Sequence, residues 1–191
     1  MQNSDRRGIV KKYVKKGSGR AWNCIEGVLE GKMIESKYLK DDIKNIQKLL
    51  AIPTLKKFET KNLARLLRLS KIRQYEDGER IINEGDRDSW LYILLTGKVR
   101  IEKEGVQITS FSKEGDFFGE MRILDSLSRS ASVYAEGRTV CLAVDIAARE
   151  GLDEQGDVAF LLQLYRIFAE YMSIRLRLAN EELIKAKKQN T

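Results

Sequence analysis

The sequence predicts an α+β fold, a small antiparallel β jelly-roll barrel with flanking N-terminal helices and a long C-terminal helix. Three observations lead there. Glycine turns at Asp77-Gly78, Glu84-Gly85, Thr96-Gly97, Glu104-Gly105 and Glu136-Gly137 recur every 7 to 12 residues, apart from one long gap. Between them lie short alternating runs: Val99 and Ile101 against Lys98, Arg100 and Glu102, and Val140, Leu142 and Val144 at period two. From Asp157 onward the period changes to that of a helix.

The elements follow in chain order. Residues 1–20 form a basic arm, in which Arg6, Arg7, Lys11, Lys12, Lys15, Lys16 and Arg20 face Asp5 alone and so carry +6 of the formal +7. Ile9, Val10, Tyr13 and Val14 alternate in pairs with the lysines, the pattern of a two-turn amphipathic helix. Eight residues rarely hold a helix alone. A solvated arm and a contact with an anionic surface, whether membrane, protein or nucleic acid, both stay open. Trp22 to Leu50 reads as helical, with Ile43, Ile46, Leu49 and Leu50 on one face, until Pro53 breaks it. The run LKKFETKNLARLLRLS predicts a helix capped by Thr60, with Leu63, Leu66, Leu67 and Leu69 inward. The strands come next, interrupted by a helical insertion at 120–128. The last helix, Asp157 to about Lys188, carries the stripe Phe160, Leu164, Ile167, Tyr171, Ile174, Leu178 at coiled-coil spacing and a second stripe beside it. A helix apolar on two faces needs two things to pack against. A homodimer through residues 157–185 is expected, the alternative being a helix that folds back on the N-terminal helices. The chain thus divides into a basic arm and helical extension (1–50), a β-roll (51–150) and a C-terminal lid or dimerisation helix (151–191).

Composition narrows the function classes. The chain has no histidine, which removes the commonest general base and metal ligand, and its two cysteines, Cys24 and Cys141, stand far apart. No carboxylate pair, nucleophile elbow or Walker loop stands out, so neither an enzyme nor a metal or cofactor site is expected. Unpaired cysteines, no apolar run near the roughly 18 residues of a membrane span and no signal-peptide core predict a cytoplasmic protein.

The long gap between turns holds FGEMRILDSLSRSASV, Phe118 to Val133. Gly119 can take positive φ and let a ligand approach the following amides. Glu120, when ionised, only accepts hydrogen bonds, which suits a sugar hydroxyl. Arg129 offers a fork of donors that fits two oxygens of one phosphate. Ser130 and Ala131 are small enough to leave backbone N–H groups accessible. The layout suits a ribose and a phosphate held side by side.

This string resembles the phosphate-binding cassette of the cyclic nucleotide-binding domain family, as in the catabolite activator proteins and the regulatory subunits of cyclic AMP-dependent kinase. The resemblance extends through Gly78, Gly85, Gly97 and Gly115 and covers roughly residues 52–180. It implies that Glu120 binds the ribose 2′-hydroxyl and Arg129 the cyclic phosphate, with Phe118, Gly119, Met121, Ser130 and Ala131 in the same site and Asn180 at an adenine edge. Ser130 stands where a threonine often accompanies cyclic GMP preference, which favours cyclic AMP over cyclic GMP as ligand. The expected function is a cyclic nucleotide-sensing regulatory protein that signals through its C-terminal helix to an effector protein, without a DNA-binding or catalytic domain of its own. The alternatives are a nucleic-acid-binding protein using residues 1–20, or a degenerate barrel acting as a scaffold.

Overall fold

The computed structural model describes residues 10–11, 26–30, 33–36, 49–147 and 154–189. Among the described residues, nine strands, all paired antiparallel, are joined in one sheet: β1 (Val10–Lys11), β2 (Glu26–Glu30), β3 (Met33–Ser36), β4 (Ser70–Tyr75), β5 (Arg80–Ile82), β6 (Trp90–Lys103), β7 (Val106–Phe111), β8 (Phe117–Phe118) and β9 (Ser132–Asp145). The main path runs β1-β2-β3-β4-β9-β6-β7, with β5 paired to β9 and β8 to β6. The α-helices among the described residues include α1 (Thr60–Arg68), α2 (Met121–Asp125) and α3 (Glu154–Gln189). Two compact units result, Met1–Glu150 and Gly151–Thr191.

The two 14-residue strands, β6 and β9, are the frame. Leu91 to Leu95 and Val140 to Val144 are buried without a break, as in strands covered on both faces, and beyond Gly97 the alternation of Val99 and Ile101 returns. Thr96-Gly97 and Glu136-Gly137, expected as turns, instead lie inside β6 and β9. Pairing continues through Gly97 with register shifts on either side of Thr96, so the strand bends without ending. Gly97 has φ 94°, and a Cβ there would meet the Arg138 carbonyl oxygen and the Thr139 Cα at 2.7 Å. The bulge therefore needs glycine for its conformation and for its space.

Around this frame packs a core of Tyr75, Ile82, Tyr92, Leu94, Val99, Phe118, Val133, Ala135, Cys141 and Ala143. Burial pushes the Tyr75 and Cys141 pKa values up, so both side chains stay neutral. Helix α1 buries Leu63, Leu66 and Leu67, and Leu69 just past its end, on the face the spacing predicts. Its cap differs from expectation: Glu59 occupies the cap position and makes no side-chain cap bond, while Thr60 is the first helical residue. Extended backbone at Glu59 starts the helix where a threonine cap would have placed it one residue later.

The N-terminal region departs furthest from the sequence reading. Within the stretch read as helical from Trp22 to Leu50, residues 26–30 and 33–36 are strands, and Ile43 and Ile46 lie outside the described residues. Val10 and Lys11, placed in an amphipathic helix, pair instead with Gly27 and Glu26. Non-local pairing to an available sheet edge overrides a weak local helical pattern. The helical insertion also contracts, from 120–128 to Met121–Asp125, ended by Ser126 at φ 58°. The long C-terminal helix is present, as α3, and exposes Ile174, Leu176, Leu178, Leu183 and Ile184.

Gly97→Ala and Gly78→Ala separate conformation from space. Both place a side chain at positive φ, a cost of about 1–2 kcal/mol, but nothing lies within 4 Å of a Cβ on Gly78. Urea denaturation is expected to show Gly97→Ala the more destabilised of the two by about 1–3 kcal/mol, the scale of overpacking.

Candidate functional site

Strand β8 ends at Phe118, whose ring stacks on Tyr92 with centroids 5.2 Å apart and planes 5° from parallel. Phe118 is 1% exposed, so its side chain belongs to the core and fixes where the following backbone begins. The chain then turns at Gly119, φ 83°, where a Cβ would meet the Arg129 Nη1 at 2.7 Å and the Trp90 carbonyl oxygen at 3.1 Å. Glycine is required there because a buried guanidinium occupies the space.

That guanidinium is the centre of the site. Arg129 is 3% exposed, and its donors are directed at three acceptors. Nε donates to Asp88 Oδ2 at 3.1 Å and Nη2 to Asp88 Oδ1, forming a two-pronged ion pair. Nη1 donates to the Gly119 carbonyl at 2.8 Å and Nη2 also to the Trp90 carbonyl at 2.5 Å. The backbone is tied the same way: the Arg129 amide donates to the Asp86 carbonyl at 2.8 Å, and the Gly85 amide to the Arg129 carbonyl at 2.9 Å. A buried arginine is tolerable only when its charge and most of its N–H groups are met. Burial tends to raise the Asp88 pKa, but hydrogen bonding and charge from Arg129 and the Trp90 amide outweigh it and hold the carboxyl below its ordinary value.

Glu120, next to Gly119, is likewise 3% exposed and begins helix α2. Ser130 and Ala131 follow the arginine half-buried, and among the described residues no acceptor meets their backbone N–H groups. The Ser130 hydroxyl lies 3.4 Å from the Met121 sulfur, joining the two ends of the segment. A buried carboxylate, a buried guanidinium and two adjacent backbone donors are thus gathered about one glycine turn.

Known proteins carry the same arrangement of segments. Residues 72–153 match the family model described as the cyclic nucleotide-binding domain. The match takes in the segment from β4 to just past β9, a little under half of the chain. Over 144 residues, 71% of the chain, it is 35% identical to a cAMP-dependent protein kinase type II regulatory subunit of Drosophila melanogaster, and it covers 37% of that protein. It is 39% identical over 82 residues, 43% of the chain, to a cGMP-dependent protein kinase of Toxoplasma gondii, and covers 8% of it. The chain therefore spans well under half the length of the curated relatives it matches. The crystal structure of a cyclic nucleotide-binding domain from Methylobacillus flagellatus superposes with a TM-score of 0.67 over 80% of this chain and 88% of that one, at 19% identity, which is a likeness of fold.

Within the matched segment, Gly119, Glu120, Met121, Arg129, Ser130 and Ala131 come together as one cluster, and Phe118 supports it from the core. Met121 is exposed on α2 beside Leu124 and Leu127. Asn180 is exposed on α3, in the second compact unit. Two participants escape the sequence reading. Asp88 is one acid among 28 Asp and Glu residues, and only the fold brings it to Arg129 from 41 residues away. Trp90 enters through its carbonyl, which no residue type announces. Among the described residues, no group of three or more His, Cys, Asp or Glu could hold a metal, and no helix is long and apolar enough to cross a membrane.

Asp88→Ala strips the guanidinium of its charge partner and is expected to destabilise the domain by about 1–3 kcal/mol, less than a fully buried pair because Asp88 is 36% exposed at its side chain. A carboxyl with a depressed folded pKa contributes fully above its unfolded value and loses that contribution as the pH falls through the folded one. The melting-temperature gap between wild type and Asp88→Ala should accordingly be constant near neutrality and close below the ordinary Asp value of 3.8.

Proposed function

We propose that the domain binds a 3′,5′-cyclic mononucleotide, cyclic AMP in preference to cyclic GMP, and acts as a non-catalytic regulatory module. The observation that carries this reading is the burial of Glu120 and Arg129 on either side of Gly119 within the segment Phe118–Ala131. Glu120 accepts from the ribose 2′-hydroxyl. The cyclic phosphate sits at the Arg129 fork and the N–H groups of Ser130 and Ala131, with the Ser130 hydroxyl as a further donor. Four of the five guanidinium N–H groups already have protein acceptors. The phosphate therefore shares or displaces acceptors, and Asp88, the half-exposed one, is the easiest to displace.

Ligand binding is thereby linked to movement. Drawing the phosphate towards Ser130 and Ala131 shifts α2, whose exposed Met121 and Leu124, with Leu127 just past its end, offer an apolar face to whatever follows. A ligand shifts such an equilibrium only by its differential affinity for the two states. We assign signal output to α3 and an effector protein, and Asn180 to the adenine edge. The exposed Ile174, Leu176, Leu178, Leu183 and Ile184 support self-association through residues 157–185. Light scattering is expected to return twice the monomer mass at high concentration, and a monomer throughout would remove the dimer.

Isothermal titration with cyclic AMP and cyclic GMP tests the site. Arg129→Ala should weaken cyclic AMP binding by roughly 30-fold to several thousand-fold, the range for removing one side of a buried charged contact. Glu120→Gln, which keeps an acceptor, should weaken it less. Equal affinity of wild type and Arg129→Ala, with the variant folded by circular dichroism, would remove the phosphate from Arg129.

A further inference from the structure

Strand β3 adds to the outer edge of β4 and is held there by more than its ladder. Met33 packs against the core cluster. The Ile72 amide donates to the Ser36 hydroxyl at 2.8 Å. Glu35, opposite Arg73 in the register, takes a hydrogen bond from Lys71 Nζ at 2.6 Å and from Arg73 Nε at 2.5 Å. Burial alone would raise the Glu35 pKa, yet these two cations hold its carboxyl below the ordinary value.

Arg73 carries the connection inward along two arms. Its guanidinium carbon stands 3.9 Å from the centroid of the Trp90 ring, and the Trp90 carbonyl accepts from Arg129. Its Nη1 donates to the Tyr92 hydroxyl at 3.0 Å, Tyr92 stacks on Phe118, and the carbonyl of the next residue, Gly119, accepts from Arg129. Both arms start at one guanidinium oriented by Glu35 and end on the two carbonyls that orient another. Without Glu35, Arg73 and Lys71 are like charges on alternate residues of one strand, both reaching towards Trp90, and the Arg73 fork keeps the Tyr92 hydroxyl but loses its charged partner.

We infer that Glu35 is a positioning residue for the Arg129 site, so that docking of residues 33–36 on β4 and occupancy of the site reinforce each other. The inference rests on the proposed reading that Arg129 receives a cyclic phosphate, but its structural half can be measured without ligand. Coupling between sites is reciprocal. Whatever pulls the N-terminal segment off the sheet edge lowers nucleotide affinity, and nucleotide holds the segment in place.

The test compares wild-type chain with Glu35→Ala by two readouts. In titration with cyclic AMP, Glu35→Ala should bind roughly 5- to 30-fold more weakly, within the span typical of coupled sites. In hydrogen exchange on the ligand-free proteins, the Arg129 and Gly85 amides should exchange about tenfold faster or more, while the Gly78 amide, bonded to the Ala135 carbonyl at 2.9 Å, keeps its rate. Wild-type affinity within twofold together with unchanged Arg129 and Gly85 exchange overturns the inference and leaves the proposed function standing. Equal acceleration at Gly78 also overturns it, since that is general loosening. If wild type binds neither cyclic AMP nor cyclic GMP, the proposed function fails, and selective exchange at Arg129 and Gly85 alone decides whether Glu35 positions them. Should Glu35→Ala not fold, Glu35→Gln, which keeps volume and an acceptor, is read in the same way.

Discussion

The structure around the cassette depends on keeping one charged guanidinium out of water. Arg129 is nearly inaccessible, so its positive charge must be answered within the protein, and three elements are committed to that task. The loop after β5 supplies Asp88, the start of β6 supplies the Trp90 carbonyl, and the turn after β8 supplies the Gly119 carbonyl. Each commitment fixes something else. Gly119 cannot carry a side chain, the loop through Asp86 is tied to the Arg129 backbone, and Trp90 must enter β6 in one register. The fork is thereby held in one orientation, which lowers the ordering cost of any contact it makes. Asp88 already answers its charge, so any further anion would have to compete with that carboxylate.

That arrangement is held from behind by the bend of the long strands. Because β6 passes through Gly97 without ending, its first half faces β8 while its second half pairs with β7. The Phe118–Tyr92 stack joins β8 to β6 directly before the cassette turn. The core residue Phe118 is thus the direct neighbour in sequence of the Gly119 turn that holds Arg129. Small displacements of the ring reach the turn with little attenuation because the packing between them is solid.

Much of this was legible beforehand. The β-roll could be read because its strands alternate, or run apolar where both faces are covered, and because glycine marks its bends. The cassette could be read because Gly119, Glu120 and Arg129 are chemically distinctive at fixed spacing. Turns and bulges could not be told apart, since glycine serves both and only the partner strand decides. Asp88 was invisible for a related reason: a single carboxylate acquires meaning from what stands opposite it in space. The strands at 26–30 and 33–36 are not announced by the sequence, because MIES and its neighbours have little periodicity and their conformation comes from pairing, 33–36 with β4 and 26–30 with 33–36.

The edge itself explains why that segment matters. An open strand edge presents unpaired backbone groups that attract other chains, and most sheets blunt it. Here β3 covers the edge of β4 and adds a carboxylate that β4's own cations, Lys71 and Arg73, require. Those cations cannot simply turn to solvent, because Arg73 is largely buried on the Trp90 face and bonded to Tyr92. Leaving the edge therefore costs more than the ladder bonds: it strands a largely buried positive charge two contacts away from the Arg129 guanidinium. A strand held by its ladder alone would be a detachable cover, whereas β3, between β2 and β4, is joined electrostatically to the residues that orient Arg129.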